Sequence, residues 1–136
     1  MADYEMQLGG PPYGSTFDNW LKFSPAFNAQ RVRSPLLMES TRSPAGTIRN
    51  MEFFVALRRQ HKPVELYYYS DGQHILDTPF ERVASLQRNL DWFRFWMQGH
   101  EGEPPKYDPD QYVRWRSYQK LRVDNPAKPD SHNELK

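Results

Sequence analysis

Apolar positions along the chain change period several times, and each change predicts an element. "RVRSPLLMES" holds a compact apolar run from Pro35 to Met38 between turn residues, which predicts a strand over about 35–39 covered on both faces. In "TIRNMEFFVALRRQHK", Ile48, Met51, Phe54, Val55 and Arg58 share one helical face, with Phe53 and Leu57 alongside. That spacing predicts an amphipathic helix over about 46–60, with Arg58, Arg59 and Lys62 at the end where the macrodipole favours cations. Pro63 blocks its continuation. "VELYYYS" is rich in β-branched and aromatic residues and predicts a second strand over about 64–70. Strand, helix and strand with short links make a βαβ unit, so the strands should run parallel with a right-handed crossover.

Downstream, "DGQHILD" reads as a turn that leads into a helix start. Thr78 can cap, Pro79 fits the first helical position, and Glu81 completes a capping box. The helix spans about 79–98. Phe80, Val83, Ala84, Leu90, Phe93 and Met97 form its stripe, and Leu86, Trp92 and Trp96 widen it, which predicts burial against a sheet. After the linker "GHEGEPPKYD", Asp108 and Pro109 open a last helix over about 109–122. Tyr112, Trp115, Tyr118 and Leu121 mark one side of it; Arg114, Arg116, Lys120 and Arg122 mark the others. Trp92 and Trp96 are expected in the core. Residues 1–19 show no apolar period, and "GGPP" punctuates them. "STFDNWLKFSPAFN" supplies docking anchors (Phe17, Trp20, Leu21, Phe23 and Phe27) on a short helical turn. The tail "DNPAKPDSHNELK" reads as disordered. The expected organisation is an irregular docking segment over 1–34, an α/β portion over 35–99, and linker, helix and tail over 100–136.

Composition narrows the functional classes. The chain has 136 residues, enough for one modest core. Hydrophobic residues are 38% and aromatics 15%, so apolar surface is concentrated in bulky side chains. Mean hydropathy is −0.91. A net charge of +1 lacks the basic excess of a nucleic-acid or anionic-membrane binder. The aromatic–basic alternation in "YVRWRSYQKLR" reads as one docking face and one solvated face. With no cysteine, thiolate nucleophiles, thiolate metal sites and disulfides are excluded. No histidine pair has metal-ligand spacing, so neither metal nor cofactor is expected. No signal peptide or membrane-spanning run is visible, and the compartment stays open.

Two strands are too few for a stable parallel sheet, because both are edges. The chain is therefore expected either to belong to a larger α/β fold or to complete its sheet with a partner. "SPLLMES", "FFVALRRQHKPVELYYYSDGQH" and "RVASLQRNLDWFRFWMQG" together resemble the C-terminal part of serine peptidases of the prolyl oligopeptidase family. The carrying string is F-x-A-L-R-x-x-x-K-P-V-E-L followed by D-G-x-H. The resemblance implies a partial α/β-hydrolase fold: strand, helix, strand, histidine loop and terminal helix. It also implies that His74 is the general base, just beyond the carboxyl end of a parallel strand, where such sheets place their sites. An ordinary imidazole pKa of about 6.5 suits that task.

The same resemblance sets out what is missing. No G-x-S-x-G occurs, so no nucleophile is assigned, and Ser15 in "YGSTF" has no strand before it. The family's acid belongs in the loop after the first strand. That loop is "ESTRSPAG", with Ser43 or a neighbour at the expected place, and Glu39 is the nearest candidate acid. Asp71 and Asp77 serve the turn and the helix entry. The expectation is a C-terminal fragment of a serine-type peptidase, inactive alone, with a peptide substrate only in a complete enzyme. Its partners are an upstream hydrolase segment or a second copy met through exposed strand edges. The alternative is a non-catalytic interaction module that completes a partner's sheet.

Overall fold

The computed structural model describes residues 2–72 and 75–124. Seven elements follow in order: α1 (Ala2–Leu8), α2 (Phe17–Phe23), β1 (Leu36–Thr41), α3 (Pro44–Arg59), β2 (Val64–Tyr69), α4 (Pro79–Gln98) and α5 (Gln111–Asp124). Short 3-10 turns lie at Gly14–Thr16 and Ala29–Arg31. The two strands pair in parallel, Leu36 beside Val64 through Thr41 beside Tyr69, as the βαβ reading requires. Of the tail expected to be disordered, Asp124 belongs to α5 and residues 125–136 lie outside the described residues, as does His74.

Alternation along the strands sends side chains to opposite faces. Leu36 and Met38 of β1 and Val64 of β2 join Ala29, Leu57, Phe53, Phe54 and Ala56 in the cluster beneath α3. On the other face, Leu37 packs against Trp92, Phe95, Tyr112, Trp115 and Tyr118 of α4 and α5. Trp115 is fully buried, with Trp92 edge-on at 5.1 Å and Tyr112 edge-on at 5.3 Å. The aromatic side expected of α5 thus forms a core, and Trp92 and Trp96 belong to it as expected. Both faces of the small sheet are covered by helices.

Several expected burials are corrected. The stripe assigned to the sheet-facing side of α4 is largely exposed: Phe80, Val83, Leu86, Leu90, Phe93 and Met97 face solvent. Its buried face carries Glu81, Ala84, Ser85, Arg88, Asp91, Trp92 and Phe95. On α3, Ile48, Met51 and Val55 are exposed, while Phe54 of the expected face packs in the core with its neighbours Phe53 and Leu57. Residues 1–19, expected to be irregular, carry α1 and the 3-10 turn Gly14–Thr16, while the short helical turn expected in "STFDNWLKFSPAFN" is α2. Of that segment's anchors, Phe17, Phe23 and Phe27 are exposed. Trp20 is part-buried and donates from Nε1 to Gly10 O at 3.0 Å. The last helix opens at Gln111, and the Asp108 carboxylate expected to open it accepts from Arg114 and Tyr67.

Local signals explain the element ends. Ser43 caps α3, its Oγ accepting from Gly46 N at 3.4 Å, with Pro44 in the first turn. Beyond its last turn, His61 takes a left-handed conformation (φ 55°) and donates its N–H to Arg58 O at 3.0 Å. Gly99 ends α4 in the same region of backbone space, at φ 66°.

Candidate functional site

The carboxyl edge of the sheet comes first, because β2 runs directly into the loop that carries His74. Its entry is pinned from two sides. Arg42 N donates to Gly72 O at 2.8 Å, which ties the loop to the segment after β1. Asp71 N donates to Glu81 Oε1 at 3.2 Å, which ties it to the first turn of α4. Thr78 Oγ1 donates to the other oxygen, Glu81 Oε2, at 2.9 Å. The expected capping box is therefore replaced: Thr78 makes no side-chain cap, and the Glu81 carboxylate is spent across the loop.

Gly72 is buried within this clamp. A Cβ there would lie 2.6 Å from Leu76 Cδ2 and 3.3 Å from both Glu81 Oε2 and Thr41 Cγ2. Packing, and not backbone freedom, requires glycine at this position. Asp71 and Asp77, flanking the histidine, are exposed, as expected of turn and helix-entry residues.

Glu39, the candidate acid, sits inside the sheet's α4 side. Its Oε1 accepts from Tyr69 Oη at 2.9 Å and its Oε2 from Ser85 Oγ at 2.8 Å. Both oxygens are engaged by the scaffold. Ser43, in the loop where the resemblance expects an acid, is the α3 cap. Ser15 lies exposed in the 3-10 turn Gly14–Thr16.

A second polar cluster fills the space between β2, α4 and α5. Alternate inward positions of β2 are Glu65, Tyr67 and Tyr69, so this face of the strand is polar. Arg88 of α4 is buried, stacks its guanidinium 3.3 Å above the Tyr67 ring and donates to Tyr69 Oη at 2.8 Å. Arg114 of α5 donates from Nε to Glu65 at 2.9 Å and from two nitrogens to Asp108, at 2.7 and 2.8 Å. Tyr67 Oη accepts from Arg114 at 2.9 Å and shares its proton between Glu65 and Asp108. Burial and the adjoining Glu65 carboxylate push the Tyr67 phenol well above its ordinary range. Burial also pushes Tyr69 up to about 12, against the opposing charge of Arg88 and helped by its hydrogen bond to Glu39. Burial works against ionisation of Asp108, but the Arg114 and Tyr67 hydrogen bonds outweigh it and hold that carboxyl below its ordinary value.

These partners make the second cluster a brace: each carboxylate faces a cation or a hydroxyl, and the phenols stay protonated. The sequence reading did not find it. Its signal was present in the alternation Glu65, Tyr67, Tyr69 and the in-phase Glu39, which place acids on a sheet face that must be covered. Among the described residues no cluster has the makings of a metal site, and no helix is long and apolar enough to cross a membrane.

Comparisons with known proteins give this edge its context. No family model matches the chain. Over 108 residues, 79% of the chain, it is 35% identical to the lasso peptide isopeptidase AtxE2 of Asticcacaulis excentricus. The chain spans about 15% of that relative's length. Two solved structures of AtxE2 resemble the fold. The apo form has a TM-score of 0.70 and 34% identity, over 89% of this chain and 18% of that one. A serine-to-alanine variant with Astexin3-dC4 bound has a TM-score of 0.68 and 36% identity, over 76% and 16%. The chain is homologous to a segment of this isopeptidase, which bears out the likeness to a peptidase read from its sequence.

Proposed function

We propose that this chain is the C-terminal portion of a serine-type hydrolase of the prolyl oligopeptidase family, with the α/β-hydrolase fold, acting on peptides or on isopeptide bonds within them. His74 is its general base. In the assembled enzyme the imidazole takes the proton from the nucleophilic serine as that oxygen attacks the carbonyl. It then returns the proton to the leaving amine. Serine and oxyanion hole come from residues outside this chain, since it has no G-x-S-x-G, and Glu39, with both oxygens engaged by Tyr69 and Ser85, serves the scaffold. The observation that carries this reading is the clamped loop entry. On a chain homologous to an isopeptidase, a parallel strand delivers the histidine loop from a seam held by Arg42, Gly72 and Glu81.

A chimera tests it. Residues 36–98 replace the homologous segment of AtxE2, and folding is checked by its melting transition. The folded chimera should hydrolyse the isopeptide bond, and His74→Ala should abolish turnover while leaving the melting temperature unchanged. Full activity in that variant would overturn the assignment. The 136-residue chain alone should show no covalent labelling by a fluorophosphonate.

One observation favours a second reading, a non-catalytic module that completes a partner's sheet. Ser43, in the loop where a triad acid is expected, is used as a helix cap. A folded, inactive chimera would support that reading.

A further inference from the structure

The buried face of α4 carries Glu81, Ser85 and Arg88, four and three residues apart, so successive turns of one face reach the same side. Ser85 and Arg88 fasten the helix to the strands through Glu39 and Tyr69. Glu81 stands on that fastened helix, is 8% exposed, and reaches the histidine loop instead. Its Oε1 accepts from Asp71 N at 3.2 Å and its Oε2 from Thr78 Oγ1 at 2.9 Å. One carboxylate thus binds both ends of the segment 71–78, which by sequence carries His74. A glutamate in the first turn of a helix ordinarily serves that helix's own free N–H groups. Here one oxygen goes to an amide ten residues earlier. Donors and acceptor all belong to this chain, so the bridge forms without any part supplied from elsewhere.

We propose that Glu81 is a positioning residue for the general base: by joining both ends of the histidine loop to a helix anchored on the sheet, it sets where His74 stands in the assembled enzyme. This role rests on the hydrolase reading and names the residue that tunes the same site. The loop entry cannot drift with the carboxylate, because Arg42 N holds Gly72 O at 2.8 Å from the β1 side. The exit is equally fixed, since Thr78 O accepts from Arg82 N at 3.1 Å as α4 begins. Thr78 makes no side-chain cap, so its hydroxyl serves the bridge and not the helix end. Proton transfer requires the base within hydrogen-bond reach of the serine, and a misplacement of about 1 Å can cost about 10²-fold in rate. A loop tied at one end only brings the imidazole into reach in fewer molecules. That lowers kcat and leaves KM unchanged, because the substrate's own contacts are untouched.

The AtxE2 chimera carrying residues 36–98 tests this role, assayed below its melting transition. Thr78→Val releases the loop exit and leaves Glu81 on Asp71; it should lower kcat about 10-fold. Glu81→Ala releases both ends and should lower kcat about 10²-fold, with KM unchanged in each variant. Adding Thr78→Val to Glu81→Ala should cost nothing more, because both ties share one carboxylate. Thr78→Ser, which keeps the hydroxyl, should recover the rate lost in Thr78→Val. Leu57→Ala, in the core beneath α3, controls for stability: it should lower the melting temperature and leave kcat as it was. A folded chimera that is inactive, or one that keeps turnover in His74→Ala, removes the hydrolase reading and this role with it. A chimera that needs His74 yet keeps its kcat in Thr78→Val and Glu81→Ala overturns this role alone. Additive losses in the double variant would overturn the bridge, and an equal loss of kcat in Leu57→Ala would reduce Glu81 to a stabilising contact.

Discussion

Replacing Gly72 by alanine probes the seam that delivers the histidine loop. The new methyl would stand 2.6 Å from Leu76 Cδ2 and 3.3 Å from Thr41 Cγ2 and Glu81 Oε2. Leu76 must turn aside, and the carboxylate that holds Asp71 N must shift with it. Overpacking of this size costs about 1–3 kcal/mol. Alanine also restricts the unfolded chain, which returns about 0.4–1 kcal/mol. The net loss should be roughly 1–2 kcal/mol, read as a lower urea midpoint at unchanged m-value. A double-mutant cycle isolates the cause. In a Leu76→Ala background the closest contact disappears, so Gly72→Ala should cost less there by about 0.5–1 kcal/mol. Equal costs in both backgrounds would refute the packing account of this glycine.

Four further outcomes follow from the same geometry. Glu81→Gln keeps the shape but weakens the bond to Asp71 N. It should cost about 1–2 kcal/mol and speed amide exchange at Asp71 before it does so in β1. Asp108 has a folded-state pKa below its unfolded value of about 3.9, so its stabilisation is present above that value and is lost as pH falls through the folded-state pKa. Acid titration of Asp108→Asn should show a shallower loss of stability below about pH 4 than the parent chain. Tyr69 shifts the other way. Its contribution is complete below about pH 10 and is lost as pH rises towards about 12, so Tyr69→Phe should flatten the alkaline limb of the stability curve. Trp115→Ala empties the centre of the aromatic core and should cost about 3–5 kcal/mol in chemical denaturation.

The backbone plan was legible from local signals. Pro63 ends the helix before β2, and Thr78-Pro79 opens α4 where the residues say it should. The aromatic side of α5 was equally clear, because Tyr112, Trp115 and Tyr118 recur at one helical spacing and no other face of that helix can be buried.

The orientation of α4 was not legible. Hydrophobic period fixes that a helix has two sides, but assigning the apolar side inward assumes that the facing surface is apolar. Here the facing strand residues are Glu39, Glu65, Tyr67 and Tyr69, with Leu37 the apolar one among them. Ser85 and Arg88 therefore turn inward to satisfy Glu39 and Tyr69, and the leucines turn out. Glu81 was misread for a related reason. Thr78 and Glu81 have capping-box spacing, but Asp71 N, ten residues earlier in sequence, competes for the carboxylate and obtains it. Such competition is set by tertiary distance, which local spacing does not contain.

The ion pair between Arg114 and Glu65 spans 49 residues of sequence. On a translating ribosome that interval lasts roughly 2–10 s, at the usual 5–20 residues per second. Until residue 114 is made, Glu65 lacks its Arg114 partner, and burying that face of β2 would bury an unpaired charge, which is costly. Docking of the final helix is then the event that dries the inner surface, which makes maturation of this region depend on the arrival of its last helix and not on the pace of its first hairpin of strand and helix.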